Sequence, residues 1–286
     1  MIDLDTLFEP FRYSFMIKAF IISFVISIPT SLLSCFLVLK GWALLGDAIS
    51  HAILPGIILA FIFNIPLLFG AFVSGLLCAV LTGYISNNCR VKPDTVMGVV
   101  FSGFFGIGMI LYFLVNTNIH LDHILFGNLL GIENHEMRSV IPLSILVSSI
   151  IIIKWKDYLL YSFDLVQAKA SGLKVNILHY VLLSIISVTV VITLSATGLI
   201  LAVGLIIAPG AIAFLLTRQF SNMLIISVLI CVFSMFFGTY LSFFIDSAPA
   251  PTIILVLTIL FFIALFRKIL INSKNTIQSK FTSDIS

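Results

Sequence analysis

An all-α, polytopic membrane bundle of eight to nine transmembrane helices is expected from three observations. Hydrophobic residues make up 60% of the 286-residue chain and charged residues only 9%, with a mean hydropathy of +1.23; soluble domains are roughly 45–50% apolar. The apolar residues fall in runs long enough to cross a hydrocarbon core, which takes about 20 residues per helix. Finally, Lys and Arg punctuate these runs mostly on one alternating side, the bias that orients membrane helices. No separate soluble domain fits, so the chain reads as a single transmembrane domain over 1–286.

Breaking the runs at Lys, Arg, Pro and Asn clusters gives spans at 13–39, 43–64, 67–86, 96–115, 139–154, 177–196, 198–217, 223–245 and 250–266. If the loop 87–95 is cytoplasmic because of Arg90 and Lys92, alternation puts Lys40, Lys154, Lys156, Lys169, Lys174, Arg218, Arg267, Lys268, Lys274 and Lys280 on the same side. Only Arg12, Lys18 and Arg138 fall outside. The C-terminus, with a tail at 272–286, is therefore expected in the cytoplasm. The N-terminus comes out external. Asp3, Asp5 and Glu9 precede its first base and a long apolar run follows, a pattern unlike a cleaved signal peptide. Residues 9–18 could instead lie in the interface.

Three connections look like more than linkers. The outer loop 116–138 has an apolar middle, HILFGNLLGI, suited to dip back or pack against the bundle; irregular backbone at that depth needs cover from protein or a water cavity. The inner stretch 155–176 is charged and contains a short amphipathic helix around 165–170 ending at Gly172, shaped either to dock a soluble partner or to lie on the headgroups. The run SAPAPT at 247–252 is a rigid outer turn.

Asp47 and His51 sit inside the second apolar run. Four residues apart on a helix they share one face, so a carboxylate and an imidazole can address one small object. An ionisable side chain within a bilayer costs roughly 2.5–3.5 kcal/mol on insertion scales, and such residues are usually functional. A divalent cation would offset that cost, and this donor pair suits zinc, manganese or iron better than calcium or magnesium. Zinc is preferred on the affinity order of divalent ions. The bland alternative is a buried hydrogen bond between the two. Pro55 cannot donate to the His51 carbonyl, and Gly46 and Gly56 would admit a neighbouring helix or an ion. Further ligands would have to come from water, the His51 carbonyl, a second copy of the chain, or Asp246.

A second cluster, His120, Asp122 and His123, could bind zinc, although helix capping by Asp122 explains it as well. His135 and His179 stand alone and read as surface or interface residues. The four cysteines, Cys35, Cys78, Cys89 and Cys231, lack any CxxC spacing and read as packing. Pro209, with Gly204 and Gly210, should bend the span 198–217. No nucleotide loop, zinc-protease or nucleophile-elbow motif occurs, so the chain is not expected to be an enzyme and ATP-driven work would need another chain. Nothing in the charge pattern suggests nucleic acid. The DxxxH pattern occurs once and no tandem repeat is visible, which argues against a carrier built from two matching halves. An ATP-independent cation channel or carrier, or a purely structural membrane subunit, stays open at this point.

Five runs together resemble the zinc/manganese-type permease family of bacterial metal-ion ABC importers: LKGWALLGDAISHAILPGI (39–57), KPDTVMGVVFSGFFGIGMIL (92–111), LDHILFGNLLGI (121–132), SFDLVQAKASGLKV (162–175) and GLILAVGLIIAPGAIAFLLT (198–217). The resemblance spans nearly the whole chain in the family's order. It implies a permease domain, paired as a homodimer or close heterodimer in the bacterial inner membrane, docked on a cytoplasmic ATP-binding subunit and fed by an extracytoplasmic metal-binding protein. It implies no permanently bound cofactor, only transported zinc, or alternatively manganese or ferrous iron. By resemblance, Asp47 and His51 are the ligands of the path, and the 162–175 run is the segment that meets the ATPase, with Asp164, Gln167, Ala168 and Gly172 as its coupling residues. One departure is that many relatives place a proline soon after that aspartate, where this chain has Leu165 and Val166.

Overall fold

The computed structural model describes residues 8–115 and 129–283, and their regular structure is entirely helical. After a 3-10 turn at Glu9–Arg12 come α1 (Ser14–Lys40), α2 (Leu45–Ile62), α3 (Leu67–Asn88), α4 (Pro93–Val115), α5 (Asn134–Phe163), α6 (Leu165–Ala170), α7 (Val175–Thr197), α8 (Leu199–Leu216), α9 (Phe220–Ile245) and α10 (Pro249–Ser283). Among the described residues nine helices, all but α6, are long and apolar enough to cross a membrane, the upper end of the expected eight to nine. Local signals account for several boundaries. Gly41, at φ 67°, turns the chain left-handed and gives its N–H to the α1 carbonyls of Leu37 and Val38. Prolines at 93 and 249 open α4 and α10, where a missing N–H costs nothing.

α1 runs through the middle of the bundle. At one end Leu33, Phe36 and Leu37 pack with Ile49 and Ile53 of α2, Tyr158 of α5 and Leu182 of α7. Towards the other end Ala19, Ile22 and Ile26 pack with Leu205 of α8, Met235 of α9 and Ile253 of α10. Leu129 and Ile132 join this second cluster, so the described end of the 116–138 loop packs against the bundle as expected. By contrast α4 is peripheral: only 6% of its apolar window is buried, against 72% for α1 and for α2.

Three expectations need correction. The run expected as a rigid turn at 247–252 is helical from Pro249 onward, the proline serving as the first residue of α10. The span expected at 139–154 continues as helix to Phe163, and 155–163 is not a loop. Trp155, Tyr158 and Tyr161 recur at helical spacing and turn inward, Tyr158 and Tyr161 being buried, while Lys154 and Asp157 pair on the outside at 3.6 Å. A non-helical residue at Lys154 (φ −106°, ψ 15°) marks the bend where the apolar stretch gives way to the amphipathic one. Likewise α10 does not stop near 266, since its backbone stays helical to Ser283.

Both interior prolines of interest are braced by a serine from another helix. In α2, Pro55 interrupts the hydrogen-bond ladder, and Ser74 of α3 donates to the Ala52 carbonyl at 2.5 Å. In α8, Ser34 of α1 donates to the Ile207 carbonyl at 2.9 Å and accepts from the Gly210 N–H at 2.8 Å, beside Pro209. Gly56 of α2 lies directly on Gly70 of α3, where a Cβ on either would collide with the other's carbonyl.

Candidate functional site

Asp47 occupies the first turn of α2 and His51 the second. The helix begins at Leu45, which puts the carboxylate where the partial positive charge of a helix N-terminus favours an anion. This end is nevertheless inside the bundle. Cys78 of α3 faces the Ala48 carbonyl (3.9 Å), and α3 continues ten residues to Asn88, about 15 Å beyond that level at 1.5 Å per residue. Phe101 of α4, which stacks on His51, lies about 12 Å along from Pro93 on the same rise per residue.

The Nε2 atom of His51 is 3.4 Å from Oδ1 of Asp47. That exceeds the 2.7–3.2 Å of a good hydrogen bond, so the two side chains face each other without being locked together. Each keeps about a third of its surface open, 29% for His51 and 31% for Asp47. Aromatic rings hold the imidazole in place: Phe101 stacks on it at 5.7 Å and Phe105 meets it edge-on at 5.6 Å. The arrangement offers one carboxylate oxygen and one ring nitrogen to a third atom on their open side, the donor set of a transition-metal cation.

Other candidates resolve differently. Ser50 spends its hydroxyl on the Gly46 carbonyl at 2.8 Å. The glycines flanking the pair admit helices and not an ion: Gly56 meets Gly70, and Gly46 packs under Ile206 of α8. Asp246 does not join the pair. It ends α9 in a left-handed conformation (φ 54°), and α9 begins beside Phe36 and Trp155 and runs 26 residues, about 39 Å, away from them. Among the described residues no three of His, Cys, Asp and Glu gather into a metal centre, so Asp47 and His51 stand here as a pair. His120, Asp122 and His123 lie outside the described residues. Cys35, Cys78 and Cys231 are buried free thiols, and Cys89 is free and exposed.

The second candidate region is α6. Asp164 caps it, accepting from the N–H groups of Val166 (2.8 Å) and Gln167 (3.0 Å), and Gly172 closes it at φ 78° with its N–H on the Lys169 carbonyl. Asp164, Gln167 and Gly172 are exposed. Ala168 is fully buried, so of the four expected coupling residues it seats the helix and cannot itself touch a partner. Leu165 and Val166 point outward instead, Val166 with 78% of its surface open. His179, which the sequence leaves as an ordinary residue, is buried against Tyr161; the available signal was its position, since the two flank α6 on either side.

Residues 12–268 match the ABC 3 transport family. The chain is 48% identical to the chelated iron transport system membrane protein YfeD of Yersinia pestis, over 90% of this chain and 86% of that protein. It is 41% identical to the manganese transport system membrane protein MntB of Synechocystis sp., over 91% and 85%. Among solved structures, PsaBC from Streptococcus pneumoniae in complex with Fab superposes with a TM-score of 0.81 at 32% identity, covering 92% of this chain and 95% of the other.

Proposed function

Because the chain belongs to the ABC 3 transport family, as a membrane permease of metal-ion ABC importers, we propose that its cargo is divalent manganese or ferrous iron and that Asp47 and His51 hold the ion in transit. The observation that carries this reading is the unlocked 3.4 Å pair, about a third open and walled by aromatic rings inside an apolar bundle. Imidazole and carboxylate alone suit zinc equally well or better. The relatives are named for iron and manganese, and the choice of cargo follows them.

In this reading the chain works in the bacterial cytoplasmic membrane with its α6 end and C-terminus inside. An extracytoplasmic metal-binding protein releases the ion at the outer mouth. A cytoplasmic ATPase hydrolyses ATP and pushes on α6, so this chain carries no nucleotide chemistry of its own. A second copy completes the coordination, because two ligands are fewer than a tetrahedral or octahedral ion needs. Incomplete coordination by one chain also keeps binding loose enough for release.

The test is uptake of radiolabelled manganese in cells lacking the gene and complemented with wild type, Asp47→Asn or His51→Ala. Wild type should restore uptake, unlabelled manganese and ferrous iron should compete better than zinc, and each variant should lose at least tenfold while reaching the membrane in normal amount. Full uptake by the variants would reduce the pair to a packing contact. Uptake by the reconstituted chain alone, under an ion gradient without ATPase, would make it a carrier.

A further inference from the structure

A buried polar cluster unrelated to the metal pair joins the two flanks of α6. Tyr161 precedes the Asp164 cap by three residues, and His179 follows the start of α7 at Val175 by four. Both are buried, at 3% and 7% exposure, and the phenol oxygen lies 2.7 Å from Nδ1 of His179. Lys40, the last residue of α1, holds its ammonium 3.4 Å from the centre of the Tyr161 ring and 4.7 Å from that of Trp42. The Trp42 ring in turn meets the imidazole of His179 edge-on at 5.6 Å. Trp42 is also the local anchor of α2: its carbonyl accepts the N–H of Leu45, two residues before Asp47.

The helices that flank α6 in the chain therefore meet through Tyr161 and His179, and from these two residues contacts run by way of Lys40 and Trp42 to the turn of α2 that bears Asp47. On the far side of His179, its Nε2 faces α3 near the Thr82 hydroxyl. Both line a void of about 10 Å³ with Gly83 and Ser86.

We propose that Tyr161 and His179, acting through Lys40 and Trp42, are positioning residues that convert displacement of α6 into movement of the Asp47 end of α2. They touch neither metal nor ATPase. This rests on the reading that α6 meets the ATPase and that Asp47 and His51 hold the cargo.

The experiment reconstitutes the permease with its ATPase and metal-binding protein in liposomes and measures manganese uptake and ATP hydrolysis in the same vesicles. Tyr161→Phe removes one hydroxyl, and ions moved per ATP should fall at least threefold while hydrolysis continues. His179→Asn keeps a hydrogen-bonding atom near the place of Nδ1 and should retain most of the ratio. An unchanged ratio in Tyr161→Phe overturns the proposal, as does an equal loss in both variants. If Tyr161→Phe fails to assemble, Gly83→Ala replaces it: its Cβ would lie 2.9 Å from Nε2 of His179 and press on the cluster from α3. A drop in ratio again supports the proposal and an unchanged ratio overturns it. Asp47→Ala is the control for the underlying reading: if it transports normally, that reading fails whatever the cluster does.

Discussion

Ser34 shows how much can hang on one hydroxyl inside a membrane bundle. Beside Pro209, which withholds a donor from α8, Ser34 bonds both the Ile207 carbonyl and the Gly210 N–H. Backbone groups facing hydrocarbon have no water to turn to, so the brace matters more here than on a wet surface. Ser34→Ala would remove both bonds between α1 and α8, at a cost of about 0.5–1.5 kcal/mol each; thermal unfolding of the purified chain in detergent should show a lowered midpoint. The proline and the resulting weak point are visible in the sequence. Its remedy is not, because the serine lies 173 residues from Ile207 and nothing local marks it among the other serines of α1. The Asp47–His51 pair was readable for the opposite reason, since its geometry is set by a four-residue spacing on one helix. What escaped was Asp246, whose distance from the pair depends on how α9 crosses the bundle.

At the level of elements, α6 was readable because its determinants are local: an aspartate cap at one end and a left-handed glycine after the other. The end of α5 was not, because charged residues among aromatic ones looked like a loop until Tyr158 and Tyr161 were seen to face the core. A cap on so short a helix carries much of its order. Asp164→Ala should cost about 1 kcal/mol of local stability and loosen the outward presentation of Leu165 and Val166. The readout is the amount of ATPase that copurifies with the permease, expected to fall severalfold with the permease itself still monodisperse.

On the scale of the whole molecule, α4 is the least covered of the long apolar helices among the described residues, and it borders the Asp47–His51 pair. Gly98, Ser102 and Gly106 lie one turn apart along it, the glycines with open space where a Cβ would stand. Small residues at this spacing let two helices approach closely in lipid. In a Cys89→Ser background, Ser102→Cys should therefore form a disulfide-linked dimer on mild oxidation of membranes, whereas Ile153→Cys on the exposed face of α5 should stay monomeric. The touching backbones of Gly56 and Gly70, with Ser74 bonded across them, weld α2 and α3 into one stiff paddle. Neither can slide or roll past the other without a clash, so a doorway beside Asp47 and His51 falls to the α4 side, where the Phe101 and Phe105 rings and the close approach of Gly108 to Pro55 would have to part.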